Sequence, residues 1–402
     1  MLSTAFSPWP HFTQQDADAV SAVLLSGKVN YWTGGEGHAF EQDFATFAGT
    51  DYAIALANGT LALDLAFYGL GIGARNGGSA EDEVVVTPRT FLASVSSIVN
   101  AGARPVFADV DADTQNINAR TIAPVLTEKT RGILCVHLGG YPCDMDPIKT
   151  LVQGRSIKLI EDCAQAHGAM YKGRPVGGLG DVAAWSFCQD KIMSTGGEGG
   201  MVTCNDTKLW KRMWAFKDHG KSWDAVFERD HPPGFRWLHE SFGTNWRITE
   251  MQSVIGRRQL VKMPEWSAAR TRNAAIISAA HRPFSGPDAP LRQIDLNDVK
   301  NTHAFYKYYA FVQPNNLGAG WSRDRIVQEI NDLGVPCMHG SCSEVYKEKA
   351  FDGTGLRPDP ALPVARQLGD TSIMFLVHPT LTSDEMRKTA EVSASVLAAS
   401  CR

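Results

Sequence analysis

Short apolar runs alternate with helical patterns between residues 52 and 204, and this rhythm constrains the fold more than any other feature of the 402-residue chain. Each run has the length of a buried strand and is bounded by turn residues. We predict strands at 52–57, 83–86, 105–110, 132–136, 157–160 and 182–187, and helices between them at 60–68, 91–101, 118–127 and 144–153. Strands that alternate with helices form a mostly parallel sheet covered on both faces. The sequence therefore predicts an α/β fold.

The pattern changes near residue 263, where a long helical pattern begins. An aromatic run at 305–312, a helical pattern at 322–333 and a last helix follow it. Such a mixture is typical of an α+β unit that closes over a larger one. We therefore predict a large domain over residues 1–262 and a smaller α+β domain over residues 263–402, with the aromatic run in the core.

Composition and charge argue against several kinds of partner. The chain is 44% hydrophobic and 20% charged, and its net charge of −4, without a cluster of basic residues, disfavours nucleic acid and anionic membranes as partners. No apolar run is long enough to span a bilayer, and the first residues do not resemble a signal peptide. The eight cysteines lack the paired spacing of a zinc site, so we expect no metal, and reduced thiols in a cytoplasmic protein.

A lysine lies at the end of one predicted strand. Lys191 follows the apolar run Val182 to Phe187, and a Gly-rich turn comes after it. Ligand groups collect at the carboxyl ends of strands in such sheets. Burial there disfavours the ammonium form, and the neutral amine is the species that attacks aldehydes and ketones. Lys191 is therefore a candidate Schiff-base lysine, and a solvated loop lysine is the alternative.

Two further strand ends carry groups that suit a planar, phosphorylated ligand. Asn58-Gly59-Thr60 opens a helix, where free N–H groups and the helix dipole attract an anion. Gly59 lets the backbone approach closely and Thr60 can cap the helix, although an ordinary turn has the same sequence. Phe91 begins the helix after the next strand, where it can stack on a heterocycle or pack in the core.

A carboxylate and an amide follow the strand at 157–160. No basic residue adjacent in the sequence offers Asp162 a partner, and a carboxylate buried at a strand end needs one. A protonated ring nitrogen would supply it, and Gln165 can donate to an oxygen of the same ligand. His167 is interpreted as structural. A phosphate site, a stacking ring, an acid and an amine at one sheet edge are together what pyridoxal phosphate requires.

Several motifs carry a resemblance to a known family. They are Asn58-Gly59-Thr60, residues 102–110, Val136-His137-Leu138-Gly139-Gly140, residues 161–169, Ser186-Phe187 with Lys191 five residues after Ser186, and Gly197-Glu198-Gly199-Gly200. In this order, over residues 15–395, the chain resembles the DegT/DnrJ/EryC1/StrS family of sugar aminotransferases, which have fold type I. The resemblance implies that Lys191 forms the internal Schiff base and that Asp162 pairs with the pyridine nitrogen. Gln165 then contacts the ring hydroxyl and Phe91 stacks on the ring. The residues implied to bind the phosphate are Gly59, Thr60 and Ser186.

The segment from Phe242 to Glu250 is similar to the family's G-x-N-[YF]-R motif. By that resemblance Asn245 reaches the cofactor phosphate of the neighbouring subunit, which implies a homodimer with shared active sites. The implied reaction moves an amino group from L-glutamate to a keto-sugar carried on a nucleoside diphosphate, in the biosynthesis of amino-deoxysugars for a surface polysaccharide or a glycosylated natural product. Substrate choice is predicted to depend on Tyr31, Trp32 and the stretch from Ser222 to Trp237, for which an ordinary surface loop is the alternative.

Other outcomes remain open from the sequence. A cyclitol ketone or another non-nucleotide keto-sugar can take the place of the nucleotide sugar. A dehydratase is disfavoured, because the family's sugar dehydratases carry histidine at the position of Lys191. A regulatory protein that binds pyridoxal phosphate without turnover would not need Lys191, Asp162 and Gln165 together.

Overall fold

The computed structural model describes residues 6–231, 233–234, 236–294 and 300–401. The helices are α1 (Gln14–Ser26), α2 (Glu36–Ala48), α3 (Gly59–Leu70), α4 (Ala93–Asn100), α5 (Ala119–Ile122), α6 (Met145–Val152), α7 (Thr207–Lys217), α8 (Glu250–His281), α9 (Arg323–Asp332), α10 (Pro363–Thr371) and α11 (Ser383–Ser400). The strands are β1 (Tyr52–Leu56), β2 (Glu83–Val86), β3 (Arg104–Phe107), β4 (Thr130–Val136), β5 (Lys158–Asp162), β6 (Met170–Tyr171), β7 (Arg174–Pro175), β8 (Val182–Ser186), β9 (Gly200–Cys204), β10 (Leu291–Gln293), β11 (Asn301–Thr302), β12 (Tyr308–Val312), β13 (Cys337–Met338) and β14 (Ser372–Phe375). Over these ranges, no helix combines the length and the apolar character that crossing a membrane requires.

A seven-stranded sheet with the order β1-β9-β8-β5-β4-β2-β3 forms the centre of the larger unit. Neighbours from β8 to β3 pair in parallel, whereas β9 runs antiparallel to both β1 and β8. The prediction of a mostly parallel α/β sheet is thereby confirmed. Because the other six strands share one direction, the carboxyl ends of β1, β2, β4, β5 and β8 meet at one edge.

Side chains pack on both faces of this sheet. Along β8, Trp185 joins the cluster that includes Phe44 of α2, while Ala184 on the opposite face joins the cluster that includes Leu65 of α3 and Met213 of α7. Full burial of each large apolar side chain contributes about 1.5–3 kcal/mol. The two clusters therefore hold the sheet between helices and fix the edge where the strands end.

The predicted helix at 118–127 is shorter in the structure. One α-helical turn, α5, is followed by a 3₁₀ turn at Ala123–Val125. Pro124 has no N–H to donate to the carbonyl four residues earlier, so the α-helical pattern of hydrogen bonds stops there.

Helix α8 joins the two units. A capping box between Thr249 and Gln252 begins this 32-residue helix, which continues without interruption through residues 262 and 263, where the domain boundary is predicted. Near its start Gly256 packs against α2, and at its end His281 Nε2 lies 2.9 Å from Ser393 Oγ of α11. The chain thus passes from the larger unit to the smaller one inside a single helix.

The smaller unit is α+β. Its four-stranded sheet has the order β10-β12-β14-β13, with antiparallel pairing throughout. A third core cluster packs this sheet against α9, α11 and the last turns of α8. The residues that precede β12 extend toward the larger unit, where the Tyr306 amide donates to Gly139 O at 3.0 Å.

Candidate active site

A cavity of about 890 Å³ opens at the carboxyl edge of the large sheet. Loops after β1, β2, β5 and β8 line one side, and residues of the smaller unit line the other. Seven of the eight sequence-predicted site residues line it together: Gly59, Thr60, Phe91, Asp162, Gln165, Ser186 and Lys191.

The start of α3 lines this cavity with donors suited to an anion, and we refer to it as the anion cradle. The Asn58 side chain caps the helix by accepting from the Leu61 amide at 2.9 Å, whereas the amides of Gly59 and Thr60 have no acceptor in the described part of the chain. A Cβ on Gly59 would lie 2.6 Å from Ser186 Cβ, so glycine is what lets the helix start approach the end of β8. The free amides and the Ser186 hydroxyl are hydrogen-bond donors that suit a phosphate, and the helix dipole favours its negative charge.

Asp162 ends β5 with its carboxylate buried in the cavity floor. Ser94 donates to its Oδ2 at 2.8 Å, and the Ala164 amide donates to its Oδ1 at 3.1 Å. Among the described residues, no lysine or arginine forms an ion pair with this carboxylate, which is 6% exposed. A buried carboxylate held only by neutral donors is suited to a cationic ligand atom, such as a protonated ring nitrogen.

Gln165 presents a donor to the same cavity. Its Oε1 accepts from the Gly139 amide at 2.8 Å, which leaves the Nε2 amide group free to donate to a ligand oxygen. The hydrogen bond from Gly139 therefore fixes the orientation of the Gln165 amide, with Nε2 as the free donor.

A buried polar network lies beneath the site. Glu161 accepts from His137 Nε2 at 3.0 Å and from three backbone amides at 2.7–3.0 Å. Burial raises the pKa of Glu161, but these hydrogen bonds outweigh it and hold the pKa below its usual value. His137, Glu161 and Cys163 are close enough to bind a metal ion. His137 Nδ1 accepts from the Cys143 amide at 3.0 Å, so both ring nitrogens already have hydrogen-bond partners and we interpret the group as a structural network.

Lys191 lies on the cavity wall with its side chain 16% exposed. Its Nζ is 3.5 Å from Asp190 Oδ1 and 5.3 Å from the centre of the Tyr306 ring. The Tyr306 hydroxyl donates to the other oxygen of Asp190. Burial raises the pKa of Asp190, but the charge of Lys191 and this hydrogen bond outweigh burial and hold the pKa below its usual value, so the carboxylate stays ionised. Asp190 and Tyr306 therefore orient the amine.

The interpretation of the aromatic run at 305–312 as core is wrong for part of it. Tyr306, Lys307 and Tyr309 line the cavity. Tyr306 and Lys307 reach the cavity because β12 begins only at Tyr308, and the residues before it cross the sheet edge beside the loop after β4, whereas Tyr309 lines the cavity from β12 itself. The single lysine inside the aromatic run was the sequence signal that could have identified these residues. For Asp190, the signal was an acidic residue directly before Lys191.

His167 lies outside the cavity. Neither ring nitrogen has a hydrogen-bond partner among the described residues. The centre of the ring lies 5.2 Å from the ring centre of Trp185 and 5.6 Å from that of Phe187. Burial lowers its pKa to about 3, so the ring is neutral.

Other predicted residues are placed apart from the cavity of this chain. Asn245 is exposed and its backbone pairs with Asp218. Tyr31 is buried and donates to Glu41 Oε2 at 2.8 Å, so it is a packing residue. Trp32 forms an aromatic group with Trp214, Trp223 and Phe227, in which the ring centres of Phe227 and Trp32 stack 6.4 Å apart. Pro232 and Phe235 of the predicted stretch lie outside the described residues.

Comparison with known proteins agrees with this geometry. GDP-perosamine synthase of Escherichia coli O157:H7 is 38% identical over 271 residues, which is 66% of this chain and 68% of that protein. The dTDP-3-amino-3,4,6-trideoxy-alpha-D-glucose transaminase of Streptomyces venezuelae is 34% identical over 363 residues, 90% of this chain and 87% of that protein. The X-ray structure of the aminotransferase from Psychrobacter cryohalolentis superimposes with a TM-score of 0.95 at 62% identity, covering 98% of this chain and 99% of that one.

The fold and the cavity define an aminotransferase of fold type I, for which pyridoxal phosphate is the typical cofactor. The chain belongs to the DegT/DnrJ/EryC1/StrS aminotransferase family, whose model matches residues 10–393. The family resemblance inferred from the sequence motifs is thereby confirmed.

Proposed function

We propose that this aminotransferase binds pyridoxal phosphate and moves an amino group from L-glutamate to a keto-sugar carried on a nucleoside diphosphate. The observation that carries the proposal is the set of groups in one cavity: free amides at the start of α3, the unpaired Asp162 carboxylate and the Lys191 amine. Each suits a different part of that cofactor, and the three lie at the ends of different strands.

The residues have separate tasks in this proposal. The cofactor, when bound, supplies an aldehyde that takes up the amino group and a ring that withdraws electrons from it. Lys191 binds the aldehyde covalently at rest, and its amine, once free, moves the proton at the α-carbon of the donor. Asp162 keeps the ring nitrogen protonated. Gln165 orients the ring through its Nε2 donor, and the phosphate is held by Gly59, Thr60 and Ser186.

Relatives support a nucleotide-linked acceptor. GDP-perosamine synthase and the dTDP-sugar transaminase differ in nucleotide and in sugar, and both are named for an amino sugar carried on a nucleoside diphosphate. To test the proposal, the enzyme is incubated with L-glutamate and a panel of GDP- and dTDP-linked keto-sugars, and formation of 2-oxoglutarate and of the amino sugar is measured by mass spectrometry. Lys191→Ala is the inactive control. Amination of cyclitol ketones alone would overturn the proposed acceptor class.

We also propose a homodimer in which Asn245 of the partner subunit completes each site. Large apolar side chains near Asn245 and at the cavity rim support a partner surface: Phe242 is 97% exposed, Trp237 86% and Phe91 71%. Phe91 then stacks on the cofactor ring under that cover.

Complementation tests the shared site. Lys191→Ala and Asn245→Ala subunits are each expected to be inactive alone, and a co-expressed mixture should regain activity. In a mixed dimer, one site combines an intact Lys191 from one subunit with an intact Asn245 from the other. No regain of activity would mean that Asn245 acts within its own chain, and activity of Asn245→Ala alone would mean that it has no role in the site.

We place the enzyme in the cytoplasm. All eight cysteines are free, five of them buried, which is typical of a reducing compartment. Fractionation of cells that express a tagged protein, followed by detection of the tag in each fraction, checks this location.

A further inference from the structure

Lys307 is a lysine on the cavity wall. Its Nζ lies 4.9 Å from the centre of the Tyr306 ring, and among the described residues it has neither a hydrogen-bond acceptor nor an ion pair. Burial, with smaller contributions from the charges of Arg270 and Lys191, lowers the pKa of Lys307 to about 8, although Asp190 opposes this shift. A lysine on a cavity wall without an ion-pair partner destabilises the fold. We therefore ask which ligand could pair with its ammonium group.

The nearest carboxylate is already engaged. One oxygen of Asp190 lies 3.5 Å from Lys191 Nζ, and the other accepts from the Tyr306 hydroxyl. Asp190 moderates the charge of Lys307 without pairing with it. The donors of the Lys307 ammonium therefore remain available to the cavity.

Both lysines place Nζ near the same aromatic ring. Lys191 Nζ is 5.3 Å from the centre of Tyr306 and Lys307 Nζ is 4.9 Å from it. An α-amino acid that reacts at Lys191 carries its carboxylate on the carbon next to the reacting amine. The charged diphosphate of a nucleotide-linked acceptor is separated from the reacting carbon by a sugar ring.

From this arrangement we infer that Lys307 binds the carboxylate of the amino donor. The inference rests on the proposed function and adds to it the residue that selects an amino acid as donor. It also explains why a lysine, and no apolar residue, interrupts the aromatic run ahead of β12.

The test separates the two halves of the reaction. Wild type and Lys307→Met are loaded with pyridoxal phosphate, and the change in cofactor absorbance is followed over a range of L-glutamate concentrations. Loss of a hydrogen bond between two charged groups is expected to raise the half-saturating glutamate concentration by about ten- to one hundred-fold. The half-saturating keto-sugar concentration, measured on the aminated enzyme, should stay unchanged.

Four further variants or measurements keep the inference open to refutation. Lys307→Arg keeps the charge and should recover most of the glutamate affinity. Lys349→Met removes an exposed lysine outside the cavity and should match wild type. Calorimetric titration with glutarate, a dicarboxylate without an amine, should show weaker binding to Lys307→Met holoenzyme, independently of turnover. Lys307→Met should also melt at a higher temperature than wild type, because a half-buried charge without an ion-pair partner is gone, whereas a purely structural lysine would leave a less stable protein.

The outcomes distinguish the inference from the proposal beneath it. If wild-type holoenzyme does not react with L-glutamate, both are overturned. If wild type reacts and Lys307→Met keeps the same glutamate and glutarate affinities, only the inference is overturned. A shift confined to the keto-sugar would assign Lys307 to the diphosphate and would equally overturn it.

Discussion

The indole N–H of Trp9 donates a 2.8 Å hydrogen bond to the backbone carbonyl of Lys191. Trp9 is itself held from two sides: Trp266 of α8 meets its ring edge-on at 5.0 Å, and the Arg270 guanidinium lies 5.1 Å from the ring centre. Arg270 also donates to the Phe305 carbonyl at 3.2 Å, next to the residues that form the far wall of the cavity. The N-terminal segment therefore fixes the loop that carries the lysine, and links it to both units.

Replacing Trp9 with phenylalanine should loosen that loop while keeping an aromatic ring. One hydrogen bond contributes about 0.5–1.5 kcal/mol, so we expect cofactor affinity to fall by roughly two- to ten-fold. Fluorescence titration of the apoenzyme with pyridoxal phosphate measures this. Trp321→Phe makes the same change in the smaller unit, where Arg325 lies 4.2 Å from the ring, and should have no effect. Equal affinities in all three proteins would refute a positioning role for Trp9.

Gly200 is expected to be essential to the anion cradle. A Cβ at this position in β9 would lie 2.2 Å from Asn58 O and 2.9 Å from Gly59 N, both backbone atoms at the start of α3. Gly200→Ala should displace the helix start and lower cofactor affinity by about ten-fold or more. Gly35→Ala is the matched control, because a Cβ there meets no atom within 4 Å. Retention of wild-type affinity by Gly200→Ala would show that the cradle does not bind the phosphate.

Much of the site was accessible from the sequence because strand ends in a parallel sheet have a fixed relation to one another. Once β1, β2, β5 and β8 were identified as strands of one sheet, their carboxyl ends were expected to meet at one edge. The residues that follow these strands were therefore expected to lie together: Gly59, Phe91, Asp162 and Lys191. Local pattern was enough for these residues.

The far wall of the cavity was not accessible in this way. Tyr306 and Lys307 reach the site because residues before β12 pair with the loop after β4, a contact between segments more than 160 residues apart. The contact from Trp9 to Lys191 spans a separation of 182 residues. No periodicity in either segment encodes such a meeting, since it depends on how the two units pack. The burial of Tyr31 was not visible in the sequence for a different, local reason, because its hydrogen bond to Glu41 forms only in the folded chain.

Glu250 should contribute strongly to stability. Its buried carboxylate accepts from the amides of Glu36 at 2.6 Å and Gly37 at 3.0 Å, and so caps α2 from the start of α8. Glu250→Ala leaves two buried amides without an acceptor, and we expect the free energy of unfolding to fall by about 2–4 kcal/mol. Denaturant unfolding measures the change. Glu265→Ala removes an exposed glutamate from the same helix and should change it little. Indistinguishable unfolding midpoints would rule out the cap.

His167 should make the fold sensitive to acid. Its pKa is about 3 in the folded protein against 6.5 when exposed, so the unfolded chain binds more protons between these values and stability is lost as the pH falls from 6.5 toward 3. His167→Leu removes this dependence. We expect the free energy of unfolding of the variant to rise relative to that of wild type as the pH falls, with a relative gain of about 2–3 kcal/mol at pH 4.5. Unfolding midpoints at several pH values test this, and a constant difference between the two proteins would refute it.

The central claim is that Lys191 is the amine through which this enzyme binds its cofactor and takes an amino group from a donor. The most direct measurement is the absorbance of the holoenzyme before and after L-glutamate, in wild type and Lys191→Ala, with borohydride reduction and peptide mass spectrometry to locate the cofactor. We expect the cofactor on Lys191, a spectrum that glutamate changes with release of 2-oxoglutarate, and no covalent attachment in the variant. A protein that binds no pyridoxal phosphate, or that carries it on another lysine such as Lys307, would contradict the account.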